Sequence, residues 1–246
     1  MTNIKDIYFI HIPKTAGTSL EDIFYNNGGC IGICYFNKHK YNNSIVKNRK
    51  YKYISLHHIP LQFMKESFVT NIIDNYTIFC VVRNPYERII SDFKFWIEFY
   101  NQREGKQKLK KNEYFLLKQI KKLYQNDYNI NPQNLNKFIK NILNHKDLYT
   151  LLDGHFIPMM EYILIKKNNT LSVLPQNILK MENLNKDFNN FIKQYNLNIP
   201  LNIINKTKHN ITSTKLSIKD LDKQSLNLIN NIYANDFKFL KYKLLE

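Results

Sequence analysis

The stretch Asp6-Ile7-Tyr8-Phe9-Ile10-His11-Ile12-Pro13-Lys14-Thr15-Ala16-Gly17-Thr18-Ser19-Leu20-Glu21 decides the fold. Residues 6–11 form a short, nearly continuous apolar run, as a strand buried on both faces of a parallel sheet requires. A turn containing Pro13 and Gly17 follows, and Leu20, Ile23 and Phe24 then fall at helical spacing. A loop between a buried strand and a helix N-terminus gathers unpaired backbone N–H groups and the positive end of the helix dipole, which suits it to anions. Gly17 lets the backbone approach closely, Lys14 adds a charge, and Thr15, Thr18 and Ser19 add hydroxyl donors. The spacing is not that of a Walker A loop, in which Lys directly follows the last Gly; Lys14 precedes Gly17 by three residues. The plainer alternative is an ordinary strand-to-helix turn with Thr18 or Ser19 as N-cap. The coincidence of Pro, Lys, Gly and hydroxyls favours the anion loop.

Outward from this loop, residues 52–56, 76–82 and 176–181 read as further strands. Residues 60–73 and 86–101 read as helices, the second with Ile89, Ile90, Phe93, Trp96 and Ile97 on one face. Alternation of strand and helix argues for an α/β core with a parallel sheet flanked by helices. The Lys- and Asn-rich segment 104–150 carries helical patterns near 113–125 and 133–143 and reads as a helical insertion. Residues 183–194 and 218–234 read as amphipathic helices. No repeat and no linker divides the chain, so a single domain over 1–246 is expected.

Composition bounds the function. The 246 residues carry 36 Lys plus Arg against 20 Asp plus Glu, a formal charge of +16. Only four of these cations are arginine: Arg49, Arg83, Arg88 and Arg103. Lys, Asn and Ile are all abundant and share AT-rich codons, so much of the charge is compositional, and the scarce Gly, Pro and Arg mark positions where chemistry or backbone insisted. A hydrophobic content of 43% excludes general disorder. No apolar run approaches the ~20 residues of a membrane span. The N-terminus lacks the layout of a signal peptide, so a cytoplasmic or otherwise non-exported location is expected. Cys30, Cys34 and Cys80 include no CxxC pair and read as structural thiols. The sequons Asn42-Asn43-Ser44 and Asn168-Asn169-Thr170 are those that chance supplies in so Asn-rich a chain.

A second constellation is Ile78-Phe79-Cys80-Val81-Val82-Arg83-Asn84-Pro85-Tyr86-Glu87-Arg88-Ile89-Ile90-Ser91. Arg83 stands at the carboxyl end of a buried strand, where open α/β sheets bind ligands. Pro85 suits a helix start, which places Arg88 on the first turn and Ser91 one turn on. Arginine is the better residue for bidentate phosphate recognition. A P-loop NTPase would place a metal-holding Asp near such a strand end. The alternative for Arg88 is a surface pair with Glu87 or a neighbour.

Together, Pro13-Lys14-Thr15-Ala16-Gly17-Thr18-Ser19 and Val81-Val82-Arg83-Asn84-Pro85-Tyr86-Glu87-Arg88-Ile89-Ile90-Ser91 resemble the sulfotransferases that use PAPS, 3′-phosphoadenosine 5′-phosphosulfate. The likeness is to the carbohydrate enzymes of the heparan/chondroitin type. It implies a P-loop-like parallel sheet and a first loop, Lys14, Thr15, Ala16, Gly17, Thr18 and Ser19, that cradles the 5′-phosphosulfate of the donor. Arg83 and Ser91 would hold its 3′-phosphate. Leu56-His57-His58-Ile59-Pro60 resembles the family's Gly-His-x-Pro element, which supplies the catalytic base; His58 matches its His, and His57 stands where Gly is usual. Gly154-His155-Phe156-Ile157-Pro158, Lys180-Met181-Glu182-Asn183-Leu184 with Asp187-Phe188, Asn205-Lys206-Thr207 and Ile232-Tyr233-Ala234-Asn235-Asp236-Phe237 extend the resemblance across most of the chain. The 104–150 segment and the missing membrane anchor are departures, since such enzymes are usually anchored in the Golgi.

The chemistry agrees with the likeness. Sulfuryl transfer to a hydroxyl needs a base, here His58 or His57, and a positive group where the leaving phosphate becomes anionic, here Lys14. No metal is expected: on a strand the adjacent His57 and His58 would face opposite ways. His155 reads as a structural histidine near Pro158 or as an acceptor-site residue, and Glu182 as a helix-start stabiliser. The expected acceptor is a carbohydrate or glycan, and the lysine excess is compatible with an anionic one. A small-molecule sulfotransferase or a nucleotide-dependent kinase is the enzymatic alternative; a polyanion-binding protein is the non-enzymatic one. Nucleic acid is not expected, because no zinc finger or RNP signature is present.

Overall fold

The computed structural model describes residues 6–28, 45–51, 54–167, 170–200 and 215–246. Cys30, Cys34, Lys52, Tyr53, the Asn42-Asn43-Ser44 sequon, Asn168, Asn169 and Asn205-Lys206-Thr207 lie outside them. The chain forms two compact units: Met1–Arg83 with Met159–Thr207, and Asn84–Pro158 with Lys208–Glu246.

The first unit is α/β. Strands β1 (Ile7–Ile10), β2 (Thr77–Val82) and β5 (Asn177–Lys180) make a parallel sheet in the order β1-β2-β5. Ile7 pairs with Thr77 and Ile10 with Cys80, while Phe79 pairs with Asn177 and Val82 with Lys180. Side chains alternate across a strand. Ile7, Phe9, Phe79, Val81 and Leu179 therefore share one face, which buries Leu20 and Phe24 of α1 (Gly17–Asn26) and Leu184, Phe188 and Phe191 of α7 (Leu184–Gln194). On the other face Tyr8 and Ile10 line a cleft with Leu56, Ile59, Leu61 and Met64. The central strand is wholly buried from Ile78 to Val82, which accounts for its unbroken apolar sequence.

Two expectations change here. Within 52–56, Ile54 and Ser55 are not strand, and Leu56 opens a 3-10 turn, Leu56–His58, closed by His58 N–H to the Ser55 carbonyl (2.8 Å). Pro60 follows with a second such turn, Leu61–Phe63, and the helix expected from residue 60 begins only at α2 (Glu66–Asn75). Met64 is held extended between them by its bridge to Val46. The sequence also gave no warning of α6 (Met159–Ile163) running into a hairpin of β3 (Leu164–Lys167) and β4 (Thr170–Val173).

The second unit is helical among its described residues: α3 (Pro85–Asn101), α4 (Lys111–Tyr124), α5 (Pro132–Leu143), α8 (Lys223–Ile232) and α9 (Ala234–Leu240). Asn84 caps α3 by accepting from Tyr86 N–H, with Pro85 in its first turn. Asn131 does the same for α5. Tyr86, Phe93, Trp96, Phe138 and Phe156 are fully buried in its core. The helix expected over 218–234 is interrupted, because Asp222 accepts from Ser225 N–H and so starts α8 afresh after the short turn Ile218–Asp220. Asn136 stitches α5 to this segment, donating to the Asp220 carbonyl and accepting from Asp222 N–H. No helix among the described residues is long and apolar enough to cross a membrane.

Candidate active site

Because the three strands are parallel, their carboxyl ends lie at one edge of the sheet. β1 delivers His11 there, β2 delivers Arg83, and β5 ends at Lys180. The loop after β1 is built by backbone and side chain together. Lys14 and Ala16 take positive φ (65° and 66°), a left-handed conformation that costs a non-glycine residue about 1–2 kcal/mol. Alternating handedness of this kind curls successive N–H groups toward a common concavity suited to anions. The Thr15 hydroxyl, buried, donates to the Ile12 carbonyl at 2.8 Å and ties the loop shut. Helix α1 then starts at Gly17 with Ala16 as N-cap and no side-chain cap, so neither Thr18 nor Ser19 caps it. Thr18 is exposed and Ser19 half-buried. Arg83 reaches the loop from β2, its Nη1 donating to the Lys14 carbonyl at 3.4 Å. The structure thus brings Arg83 to the Lys14–Ser19 loop.

The two candidate bases approach His11, just past the end of β1. The rings of His57 and His58 are 4.1 Å apart between centroids, and they lie 5.0 and 5.1 Å from the ring of His11. His58 is buried and His57 half-buried. The 3-10 turn replaces the expected strand and sets the two imidazoles side by side, so the argument that they face apart does not hold. Ligating atoms of His11, His57 and His58 lie within 4.8 Å of one another, and these residues are a set that could hold a metal ion.

His11 is the residue the sequence reading passed over. Its Nδ1 is 2.7 Å from Glu21 Oε1, and both side chains are buried. The available signal was Glu21 itself, a carboxylate between Leu20 and Phe24 on the buried face of α1, where an acid requires a partner.

The remaining candidates belong to the second unit. Ser91 is half-buried on α3. Arg88 does not form the surface pair considered for it: it is 3% exposed and donates to the carbonyls of His155 (2.6 Å) and Ile157 (3.0 Å). His155 is buried, bonded through Nδ1 to Asp92 at 2.6 Å and stacked on Phe95. In the first unit Glu182 is exposed in the turn leading to α7, while Asp187 accepts from Lys180 N–H.

A parallel α/β unit thus carries an anion-suited loop, a strand-end arginine and clustered imidazoles at one edge of its sheet. The model of the sulfotransferase family matches residues 1–243, and the chain belongs to that family. Transfer of a sulfuryl group is accordingly its general chemistry. No curated protein and no solved structure gives a significant match.

Proposed function

We propose that the chain transfers the sulfuryl group of PAPS to a hydroxyl of a carbohydrate or glycan. His58, or His57 beside it, removes the proton of the acceptor hydroxyl; the oxygen attacks sulfur and the bond from sulfur to the bridging phosphate oxygen breaks. The product phosphate leaves with a new negative charge, which Lys14 stabilises. Lys14, Thr15, Ala16, Gly17, Thr18 and Ser19 hold the 5′ end of the donor, and Arg83 with Ser91 holds its 3′-phosphate. The observation that carries this reading is the junction of three parts at one sheet edge: the left-handed loop at the uncapped start of α1, the Arg83 contact to that loop, and the histidines beside it. No metal enters the chemistry so described.

Calorimetry with PAP, the desulfated donor product, against ATP tests the proposal. Tight binding of PAP that is lost with its 3′-phosphate is expected; preference for ATP would point to the kinase alternative. Turnover with oligosaccharide acceptors but not with small phenols or alcohols would place the acceptor among glycans.

A further inference from the structure

His11 takes no part in the reaction just described, yet it lies against Gly17 of the loop and beside both candidate bases. We propose that His11 and Glu21 form a positioning pair that sets the His57–His58 pair relative to the donor loop; its catalytic consequence rests on the sulfuryl-transfer reading. Glu21 is 1% exposed and His11 6% exposed. Such burial of a carboxylate is expensive unless it is hydrogen-bonded, so the pair answers to a requirement beyond packing α1.

The geometry states what the pair does. A carboxylate only accepts, so His11 donates from Nδ1 and its neutral form keeps the lone pair on Nε2. A methyl carbon placed on Gly17 would be almost equidistant from Nε2, Cε1 and Cδ2 of that ring, at 2.4, 2.5 and 2.6 Å. Near-equal distances to three ring atoms put Gly17 over the face of the imidazole, not at its rim. The same ring lies 5.0 Å from His57, tilted at 57°, and 5.1 Å from His58 at a T-shaped 71°, with a nitrogen of each of the three rings within 4.8 Å of the others. One imidazole thus bears on the loop with its face and brings a ring nitrogen close to both candidate bases. Rotation of a histidine ring about its second side-chain torsion is soft and roughly two-fold, and packing alone does not choose between a ring and its flipped form. The bond to Glu21 makes that choice. A flip would exchange nitrogen for carbon in the ring that lies beside the histidine pair, and displacement of a reacting group by about 1 Å costs on the order of 100-fold in rate.

The experiment compares Glu21→Leu, which removes the acceptor, with Glu21→Gln, whose amide oxygen can still accept. Each is followed by ¹⁵N NMR of the histidine rings, PAP calorimetry and turnover. Wild type should show His11 protonated at Nδ1. Glu21→Leu should lose that signature, shift the ring signals of His57 and His58, bind PAP within about threefold, and lose about 10–100-fold in kcat. Glu21→Gln should restore most of the rate. A wild-type His11 protonated at Nε2 overturns the proposal. So do unmoved His57 and His58 signals in Glu21→Leu, or parallel losses of PAP binding and kcat in both variants. Should Glu21→Leu fail to fold, the wild-type spectrum and Glu21→Gln decide. A wild type that neither binds PAP nor turns over sinks the sulfuryl-transfer reading, while the ring spectra still decide the pair.

Discussion

The imidazole of His11 lies against Gly17 so closely that no side chain fits between them: an added methyl carbon would come within 2.4–2.6 Å of three ring atoms. The ring cannot yield easily, because Glu21 holds its Nδ1. Gly17→Ala is therefore expected to force ring and loop apart, at a cost on the order of 1–3 kcal/mol, and to weaken PAP binding. Urea unfolding and calorimetry measure the two effects. An alanine variant with unchanged stability and unchanged PAP affinity would show that the loop and His11 are not in register.

Arg83 joins the end of β2 to the Lys14 carbonyl. In Arg83→Ala, PAP binding should weaken by about 10–100-fold, the worth of charge-assisted hydrogen bonds to a phosphate. The loss should shrink toward nothing for a ligand lacking the 3′-phosphate. Equal losses for both ligands would mean that Arg83 shapes the loop and does not read the 3′ end.

The two histidines separate by substitution. His58→Ala should abolish turnover and leave PAP binding within about threefold, since a general base contributes to the chemical step at roughly 100- to 10,000-fold. Retained turnover in that variant, with loss in His57→Ala, moves the base to His57.

Arg88 tests the helical unit. With its guanidinium buried against the carbonyls of His155 and Ile157, Arg88→Met should strand both acceptors and cost about 2–5 kcal/mol. A surface pair with Glu87 would have cost about 0–1 kcal/mol. Urea unfolding distinguishes the two.

Glu113 supplies a pH signature in the same unit. The Lys110 backbone N–H and then the Arg103 guanidinium hold its carboxyl below the usual carboxylate value. A depressed folded-state value gives stability that is present above the unfolded-state value and is lost as pH falls through the folded one. Glu113→Gln should cost about 0.5–1 kcal/mol near neutral pH, and that difference should fade as pH drops below the usual carboxylate value and through the depressed folded-state one. A difference that persists in acid would assign the effect to packing.

Much of this was legible because the sequence is well punctuated. Pro13 and Gly17 bracket the loop, and Pro85 announces α3, which Asn84 is then found to cap. The apolar run Ile78–Val82 marks the central strand, as its burial on both faces demands. What escaped depends on contacts between distant residues. The turn at Leu56–His58 looks like a strand because its apolar and histidine residues carry no turn signal of their own; backbone bonds from His58 to Ser55 and from Ile59 to Leu56 decide it. The hairpin β3–β4 is short, and its pattern competes with the helix α6 just before it. His11 and Glu21 are ten residues apart on different elements, and only the folded chain shows them to be partners.

The order of strands along the chain also bears on how the protein is made. Gln176, at the threshold of β5, accepts from Ile78 N–H across a separation of 98 residues. At ribosomal rates of about 5–20 residues per second, β2 waits roughly 5–20 s for the strand that completes its pairing. During that interval Ile78-Phe79-Cys80-Val81-Val82, uncharged and rich in residues that favour strands, is an adhesive edge of the kind that recruits other nascent chains. Arg83-Asn84-Pro85 follows it immediately. A cation and a proline at the end of an apolar run are what guards such a segment, so Arg83, proposed above to hold the donor phosphate, stands also where a gatekeeper stands during synthesis.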